Sequence, residues 1–188
     1  MGIRSFLAIP ISAGVKDKFR LILHNLQVIR ADVKWVKLEN IHLTLKFLGD
    51  LEEKRLESVS EALEKCRPRM APSTSCLRAI GAFPNLRHPK ILWGALDDSS
   101  EELKTIVDIL EGELAKIDMP KEDRPFKPHL TFGRVRSSAN LQSLTQAIRE
   151  ISFEDKLRQI SDKVILYKST LTSQGPVYEV LREFILGS

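Results

Sequence analysis

Helical and strand patterns alternate regularly along the chain. Four stretches carry apolar residues at helical spacing and predict helices; they cover about 13–29, 52–65, 101–116 and 139–150. Short runs rich in β-branched and aromatic residues predict strands over 4–10, 40–48, 75–83, 90–96, 128–132, 163–170 and 177–186. Because the strands are short and are mixed with helices, the pattern predicts an α+β fold.

The order of these elements repeats. A strand, a helix, a histidine-bearing strand and a second helix occupy residues 4–65 and recur in residues 90–150, and a further strand follows each set. We interpret residues 1–188 as a single bilobal domain built by internal duplication, with approximate repeats 4–83 and 90–170 and a closing strand at 177–186. Each of the two pseudo-symmetric lobes is expected to be a mostly antiparallel sheet with helices on its outer face. The active-site cleft is expected to lie between them.

Composition limits the class of protein. Hydrophobic residues make up 43% and charged residues 29% of the chain, as in ordinary globular proteins. No apolar run is long enough to span a bilayer, and Pro10 interrupts the apolar stretch near the N-terminus, so we expect a cytoplasmic protein that does not bind membranes. Cys66 and Cys76 lack metal-ligand spacing and are expected to be free thiols. The net charge of +4 is only a weak indication of an anionic partner, and a monomer is the default expectation.

A His-x-Thr motif occurs in both histidine-bearing strands. The first copy contains His42 and Thr44, and the second contains His129 and Thr131. Because side chains alternate across a strand, each histidine shares a face with its threonine, while the apolar residues of the motif lie on the other face. The polar faces are therefore expected to line the cleft. Two copies at equivalent places of a repeat make a purely structural role for these histidines an unattractive explanation.

These side chains suit a particular chemistry. One imidazole of a pair can act as base while the other acts as acid near neutral pH. Threonine hydroxyls are short neutral donors suited to the non-bridging oxygens of a phosphate. The set fits in-line displacement at phosphorus. The chain has no HExxH motif and no Walker-type loop, and two histidines with two threonines make a poor Mg²⁺ or Mn²⁺ site, so we predict no metal and no cofactor.

Four segments carry a resemblance to a known family. They are residues 6–10, residues 35–49 with His42-Leu-Thr-Leu45, residues 126–134 with Pro-His-Leu-Thr-Phe-Gly-Arg, and residues 166–186. The chain resembles the 2′-5′ RNA ligase family, also called RNA 2′,3′-cyclic phosphodiesterases, within the two-histidine phosphoesterase superfamily.

The resemblance implies a reaction and roles for the two histidines. It implies hydrolysis of RNA 2′,3′-cyclic phosphate ends to 2′-phosphomonoesters, together with a reversible, ATP-independent 2′-5′ joining of RNA, with tRNA halves among the candidate partners. By the same resemblance, His42 would be the proton donor to the departing O3′ and His129 the base that activates water. The pseudo-symmetry alone leaves these two roles interchangeable.

Four other residues are weaker candidates for substrate binding. By strand alternation Lys46 shares the face of His42, although a solvated lysine at a strand end is the commoner case. Arg134 falls on the opposite face unless a bulge at Gly133 turns it, and a surface salt bridge is the alternative. Phe126 and Trp35 are candidates to stack on a nucleobase, with core packing as the competing explanation.

Two other functions remain open at this stage. The same chemistry would serve a cyclic phosphodiesterase that acts on small nucleotides. A non-catalytic RNA-binding module is the other alternative, although binding alone does not require two titrating groups.

Overall fold

The computed structural model describes residues 2–97, 101–153, 157–173 and 175–187. Within them the helices are α1 (Ala13–Gln27), α2 (Glu53–Cys66), α3 (Glu102–Ala115) and α4 (Leu141–Glu150). The strands are β1 (Ile3–Pro10), β2 (Val33–Trp35), β3 (His42–Leu51), β4 (Ser73–Phe83), β5 (Ile91–Asp97), β6 (His129–Val135), β7 (Leu157–Ser161), β8 (Lys163–Thr172) and β9 (Gly175–Ile185). Every predicted helix and strand is confirmed, with ends that differ by at most three residues. The short strands β2 and β7 were not predicted.

The strands form one curled sheet in which every pairing is antiparallel. Among the described residues its order is β7-β4-β5-β6-β3-β1-β8-β9, and β2 pairs with the far half of β6. The central strands β3 and β6 meet at a single paired position, Leu43 with Leu130. The sheet therefore divides at this joint into a first lobe (β3, β1, β8, β9) and a second lobe (β6, β5, β4, β7 and β2). The predicted α+β fold with two antiparallel lobes is confirmed.

Each lobe uses elements from both predicted repeats. Strand β4, which ends the first repeat, lies in the second lobe, and β8, which ends the second repeat, lies in the first lobe. Helix α1 packs on the second lobe, where Phe19 contacts Phe132, and α3 packs on the first, where Glu111 binds Lys46. The exchange ties the lobes together. Whether the two halves arose by duplication stays a prediction.

The apolar stripes of the helices and one face of the sheet form the core. In α1 the buried residues are Val15, Phe19, Ile22, Leu23 and Leu26, at the helical spacing seen in the sequence. In the central strands Leu43 and Leu130 are buried on this face, which leaves the histidines on the opposite, concave face. In the described part of the chain, no helix is both long enough and apolar enough to cross a membrane.

Candidate active site

The two His-x-Thr motifs lie side by side at the joint between the lobes. Because β3 and β6 are antiparallel and pair at Leu43 and Leu130, His42 lies beside Thr131 across the joint, and Thr44 lies beside His129. All four polar residues share the concave face and are partly exposed. The structure therefore brings the two histidines and two threonines together.

Both imidazoles are held in the same way. Nδ1 of His42 lies 2.8 Å from the carbonyl oxygen of Asn40, and Nδ1 of His129 lies 2.7 Å from that of Lys127. A carbonyl oxygen only accepts hydrogen bonds, so Nδ1 carries the hydrogen in both rings and donates it. This leaves Nε2 of each ring available for proton transfer.

The carbonyl that holds His42 is itself fixed. Asn40 ends a short 3₁₀ helix, Leu38–Asn40, and its Nδ2 donates to the carbonyl oxygen of Pro176 at 2.9 Å. This bond ties the segment before β3 to the start of β9. A cavity of about 210 Å³ opens beside His42 at this place and is lined by Lys16, Asn40 and other residues.

The surroundings of the two histidines differ. His42 lies within an aromatic group of the first lobe, with its ring centroid 4.9 Å from that of Phe6, 5.3 Å from that of Tyr178 and 6.2 Å from that of Tyr167. Burial lowers the pKa of His42 from 6.5 to about 4, although its hydrogen bond to Asn40 acts in the opposite direction. In the unliganded protein His42 is therefore neutral near pH 7.

His129 has a more open aromatic neighbourhood, formed by the second lobe. The rings of Phe83 and Trp93 are nearly perpendicular to its imidazole, with centroid distances of 5.7 and 6.3 Å. The site thus has similar hydrogen-bonding geometry at the two histidines but unequal burial around them.

A bulge in β3 turns Lys46 away from the cleft. The pairing with β1 skips Leu45, so that Thr44 faces Ala8 and Lys46 faces Leu7. Lys46 is 3% exposed; its Nζ lies 2.7 Å from Glu111 Oε1 and 2.7 Å from the carbonyl oxygen of Pro120. The expectation that Lys46 lines the cleft is therefore wrong, because simple alternation does not continue through the bulge.

A matching bulge in β6 turns Arg134 toward the cleft. The pairing with β5 skips Phe132, so that Thr131 faces Trp93, Gly133 faces Leu92, and Arg134 returns to the side of His129. The guanidinium charge of Arg134 acts on the hydroxyl of Tyr178 in the first lobe and lowers its pKa, against a larger increase caused by burial. This is the arrangement that the sequence allowed for if a bulge occurred near Gly133.

The two aromatic candidates lie elsewhere. Trp35 stacks on the buried Phe132 with a centroid distance of 6.3 Å and an interplanar angle of 10°, and it lies on the core side of β2. Phe126 is partly buried and packs against the hydrophobic core. Core packing is the interpretation that the structure favours for both residues.

Sequence reasoning missed the aromatic group around His42. Tyr167 and Tyr178 are the two tyrosines of the chain, and the pairing of β8 with β9 places both on the concave face. Phe47 joins this face after the bulge in β3 and is 65% exposed. Their concentration in the closing hairpin was a visible signal, but it could not be used without knowing that β8 pairs with β1.

We expect the imidazole of His42 to titrate near pH 4 in the unliganded protein, because burial disfavours its cation. An NMR titration of the histidine Cε1–H signals measures this midpoint, and the His42→Gln variant identifies the signal. Since an unfolded histidine titrates near 6.5, the folded protein should lose at most about 3 kcal/mol of stability as pH falls from 6.5 to 4.

The His42→Gln variant should lack that part of the pH dependence. A midpoint for His42 between pH 6 and 7 would contradict the expected effect of burial.

No group of three or more His, Cys, Asp or Glu side chains in the described ranges is arranged to hold a metal ion. The donor set at the joint consists of two imidazoles and two hydroxyls, without a carboxylate. Such a set is suited to contact a phosphate directly.

Two α+β lobes that present paired His-x-Thr strands in one cleft define a phosphoesterase of the two-histidine class. The model of the LigT-like phosphoesterase family matches residues 9–93 and 96–178, and each matched stretch contains one of the two motifs. The chain belongs to this family, and the resemblance noted in the sequence is confirmed.

Curated relatives and solved structures agree with this assignment. RNA 2′,3′-cyclic phosphodiesterase of Methanothermobacter thermautotrophicus is 31% identical over 99% of this chain and 100% of its own length. The protein of the same name from Methanocaldococcus jannaschii is 32% identical over 96% of this chain and 99% of its own. A crystal structure from Thermus thermophilus covers 98% of both chains with a TM-score of 0.82 at 26% identity. The fold is also that of E. coli LigT in apo form, with a TM-score of 0.80 at 21% identity, covering 100% of this chain and 99% of that one.

Proposed function

We propose that the chain hydrolyses the 2′,3′-cyclic phosphate at an RNA 3′ end to a 2′-phosphomonoester, without a metal ion. The observation that carries this proposal is the matched hydrogen bonding of the two histidines, which leaves Nε2 of both rings free on one concave face. The names of the curated relatives support the choice of substrate.

The reaction needs one proton removed and one delivered. Water attacks phosphorus while His129 Nε2 accepts its proton, the bond from phosphorus to O3′ breaks, and His42 Nε2 donates a proton to O3′. The product carries a 2′-phosphate and a 3′-hydroxyl. If an RNA 5′-hydroxyl replaces water, the same displacement forms a 2′-5′ link, and ATP is not needed because one phosphoester bond is exchanged for another.

The protonation of His42 depends on the substrate. The ring is neutral in the free protein near pH 7. A cyclic phosphate carries one negative charge, and an anion beside the imidazole raises its pKa. In this proposal His42 therefore takes up its proton when the substrate binds.

Three further residues contact the phosphate or the nucleotide in this proposal. Thr44 and Thr131 lie on the concave face beside the histidines and donate to the non-bridging oxygens. Arg134 faces the same cleft and adds a positive charge. Phe126, Trp35 and Lys46 are not included, because they pack against the core or are buried.

The proposed partners are RNAs with cyclic phosphate ends, including tRNA halves, and the proposed form is a cytoplasmic monomer. The test is hydrolysis of a short RNA that ends in 2′,3′-cyclic phosphate, compared with free 2′,3′-cyclic AMP, both in excess EDTA. We expect only the 2′-phosphate as product and the same rate with and without EDTA.

Each alternative predicts a different result. Loss of activity in EDTA would contradict the metal-free mechanism. Turnover of 2′,3′-cyclic AMP with no turnover of the RNA would indicate an enzyme that acts on small nucleotides. RNA binding without any turnover would indicate a binding module.

A further inference from the structure

We propose that Lys34 and Arg134 together bind a second phosphate, namely the phosphodiester that precedes the terminal nucleotide of the RNA. This inference rests on the proposed function, because it assumes that the cyclic phosphate occupies the His-x-Thr site. It assigns to Lys34 a role in distinguishing RNA ends from free cyclic mononucleotides.

Register places the two cations side by side on the concave face. In the pairing of β2 with β6, Lys34 is directly opposite Arg134. Their neighbours Val33 and Gly133 face the core, where a Cβ at Gly133 would lie 2.9 Å from Val33 Cγ1. Since side chains alternate, Lys34 lies on the face opposite the core. Both Lys34 and Arg134 are exposed.

Two like charges at directly opposed positions need an explanation. Such a pair destabilises an antiparallel ladder by up to about 1 kcal/mol. Neither residue forms an ion pair with another residue in the described part of the chain. At the neighbouring position away from the joint the charges are complementary, with Arg136 Nε 3.2 Å from Asp32 Oδ1. A bound anion between Lys34 and Arg134 would remove the repulsion.

The cation pair continues from the catalytic site along β6. Thr131 lies three residues before Arg134, on the same face. Arg134 lies within electrostatic range of the first lobe, where its charge lowers the pKa of Tyr178. Lys34 lies on β2, which pairs with β6 at residues 133–135, beyond the single position where β3 pairs with β6. An RNA strand whose last phosphate lies between the histidines would meet these cations with an earlier phosphate.

The chemistry of the pair matches a phosphodiester. Arginine offers a planar set of donors that fits two phosphate oxygens, and lysine adds a mobile point charge. A cyclic mononucleotide has a single phosphate, and that phosphate would occupy the His-x-Thr site. Lys34 would therefore contribute to the binding of oligonucleotides only.

The test uses a dinucleotide that ends in 2′,3′-cyclic phosphate and its analogue with an uncharged methylphosphonate linkage. We compare the ratio of kcat/KM for the charged and uncharged substrates in wild type, Lys34→Gln and Lys54→Gln. Lys54 is an exposed lysine of α2 and serves as the matched control. We expect Lys34→Gln to reduce the ratio about tenfold, as for the loss of one hydrogen bond between charged groups, and Lys54→Gln to leave it unchanged.

Salt gives a second measure of the same contact. The dependence of log kcat/KM on log salt for the charged dinucleotide should become shallower in Lys34→Gln, because salt screens one charge contact fewer. An equal ratio in wild type and Lys34→Gln would overturn the second-phosphate site.

Failure of the proposed function would give a different result, namely no turnover of any cyclic phosphate. In that case binding of the same two dinucleotides with a 2′-phosphate end, measured by fluorescence anisotropy, makes the same comparison. Equal affinity of wild type and Lys34→Gln for the charged form would then overturn the inference.

Discussion

Replacement of either His42 or His129 by alanine is expected to lower kcat on an RNA 2′,3′-cyclic phosphate by about 10²–10⁴-fold, the usual contribution of one positioned acid or base. Both rings donate Nδ1–H to a backbone carbonyl and keep Nε2 for the reaction. KM should change much less than kcat, because Thr44 and Thr131 remain to hold the cyclic phosphate. Single-turnover kinetics on a labelled RNA measures the effect.

The matched control is His24→Ala, since His24 is an exposed residue of α1 outside the cleft. This variant should keep the wild-type rate, and circular dichroism should show that all three variants are folded. A folded His42→Ala or His129→Ala variant with a rate within threefold of wild type would contradict the acid–base proposal.

The same variants can assign the two roles. If sulfur replaces O3′ in the cyclic phosphate, the leaving group departs as a thiolate and no longer needs a proton. The variant that lacks the acid should then recover most of its lost rate, and the variant that lacks the base should not. Recovery of His42→Ala supports His42 as the donor, whereas recovery of His129→Ala would exchange the two roles. Because the pKa of His42 is low in the unliganded protein, the free ring is neutral near pH 7 and has the form of a base. The comparison therefore tests directly whether His42 acts as the acid.

The repeated motif could be predicted from the sequence because it depends only on local alternation. His42 and Thr44 share a face in any regular strand, and the same holds for His129 and Thr131. The repeat then places the two motifs at equivalent positions. The helices were predictable for the same reason, since their buried residues recur at helical spacing within one continuous segment.

The residues after each motif were harder to predict because a bulge interrupts alternation there. In β3 the bulge buries Lys46, and in β6 it turns Arg134 to the cleft. A bulge depends on how two strands pair, and that pairing is not written in either strand alone. From the sequence, Arg134 could reach the cleft only if a bulge occurred near Gly133. Nothing in the sequence indicated the bulge near Leu45.

The exchange of elements between lobes had no local signal. Strand β8 joins the first lobe by pairing with β1, which is more than 150 residues earlier in the chain. The aromatic group around His42 depends on this pairing, because Phe6 lies on β1 and Tyr167 lies opposite it on β8. The burial that lowers the pKa of His42 was therefore not predictable from residues 40–48 alone.

The buried pair of Lys46 and Glu111 leads to a second large effect, on stability. We expect Lys46→Met to lower the free energy of unfolding by about 3–5 kcal/mol, because it leaves the carboxylate of Glu111 without its cation. Glu111 is 15% exposed, and its second oxygen, Oε2, is buried without a hydrogen-bond partner in the described structure. Lys46 also binds the carbonyl oxygen of Pro120, so the variant removes a link between β3 and the segment after α3. Chemical denaturation measures the change.

The double variant Lys46→Met with Glu111→Leu separates loss of the ion pair from a packing defect. Replacing both charges by apolar groups of similar size should recover most of the loss, since a buried pair contributes less than one unpaired charge costs. The surface pair Lys168 and Glu179, with side chains 37% and 62% exposed, is the control, and Lys168→Met should cost less than about 1 kcal/mol. If Lys46→Met is as mild as Lys168→Met, the expected cost of leaving Glu111 without its cation is contradicted. If instead the double variant is as unstable as the single one, the side chain of Lys46 acts through its packing and its bond to Pro120, because removal of the opposing carboxylate would then bring no gain.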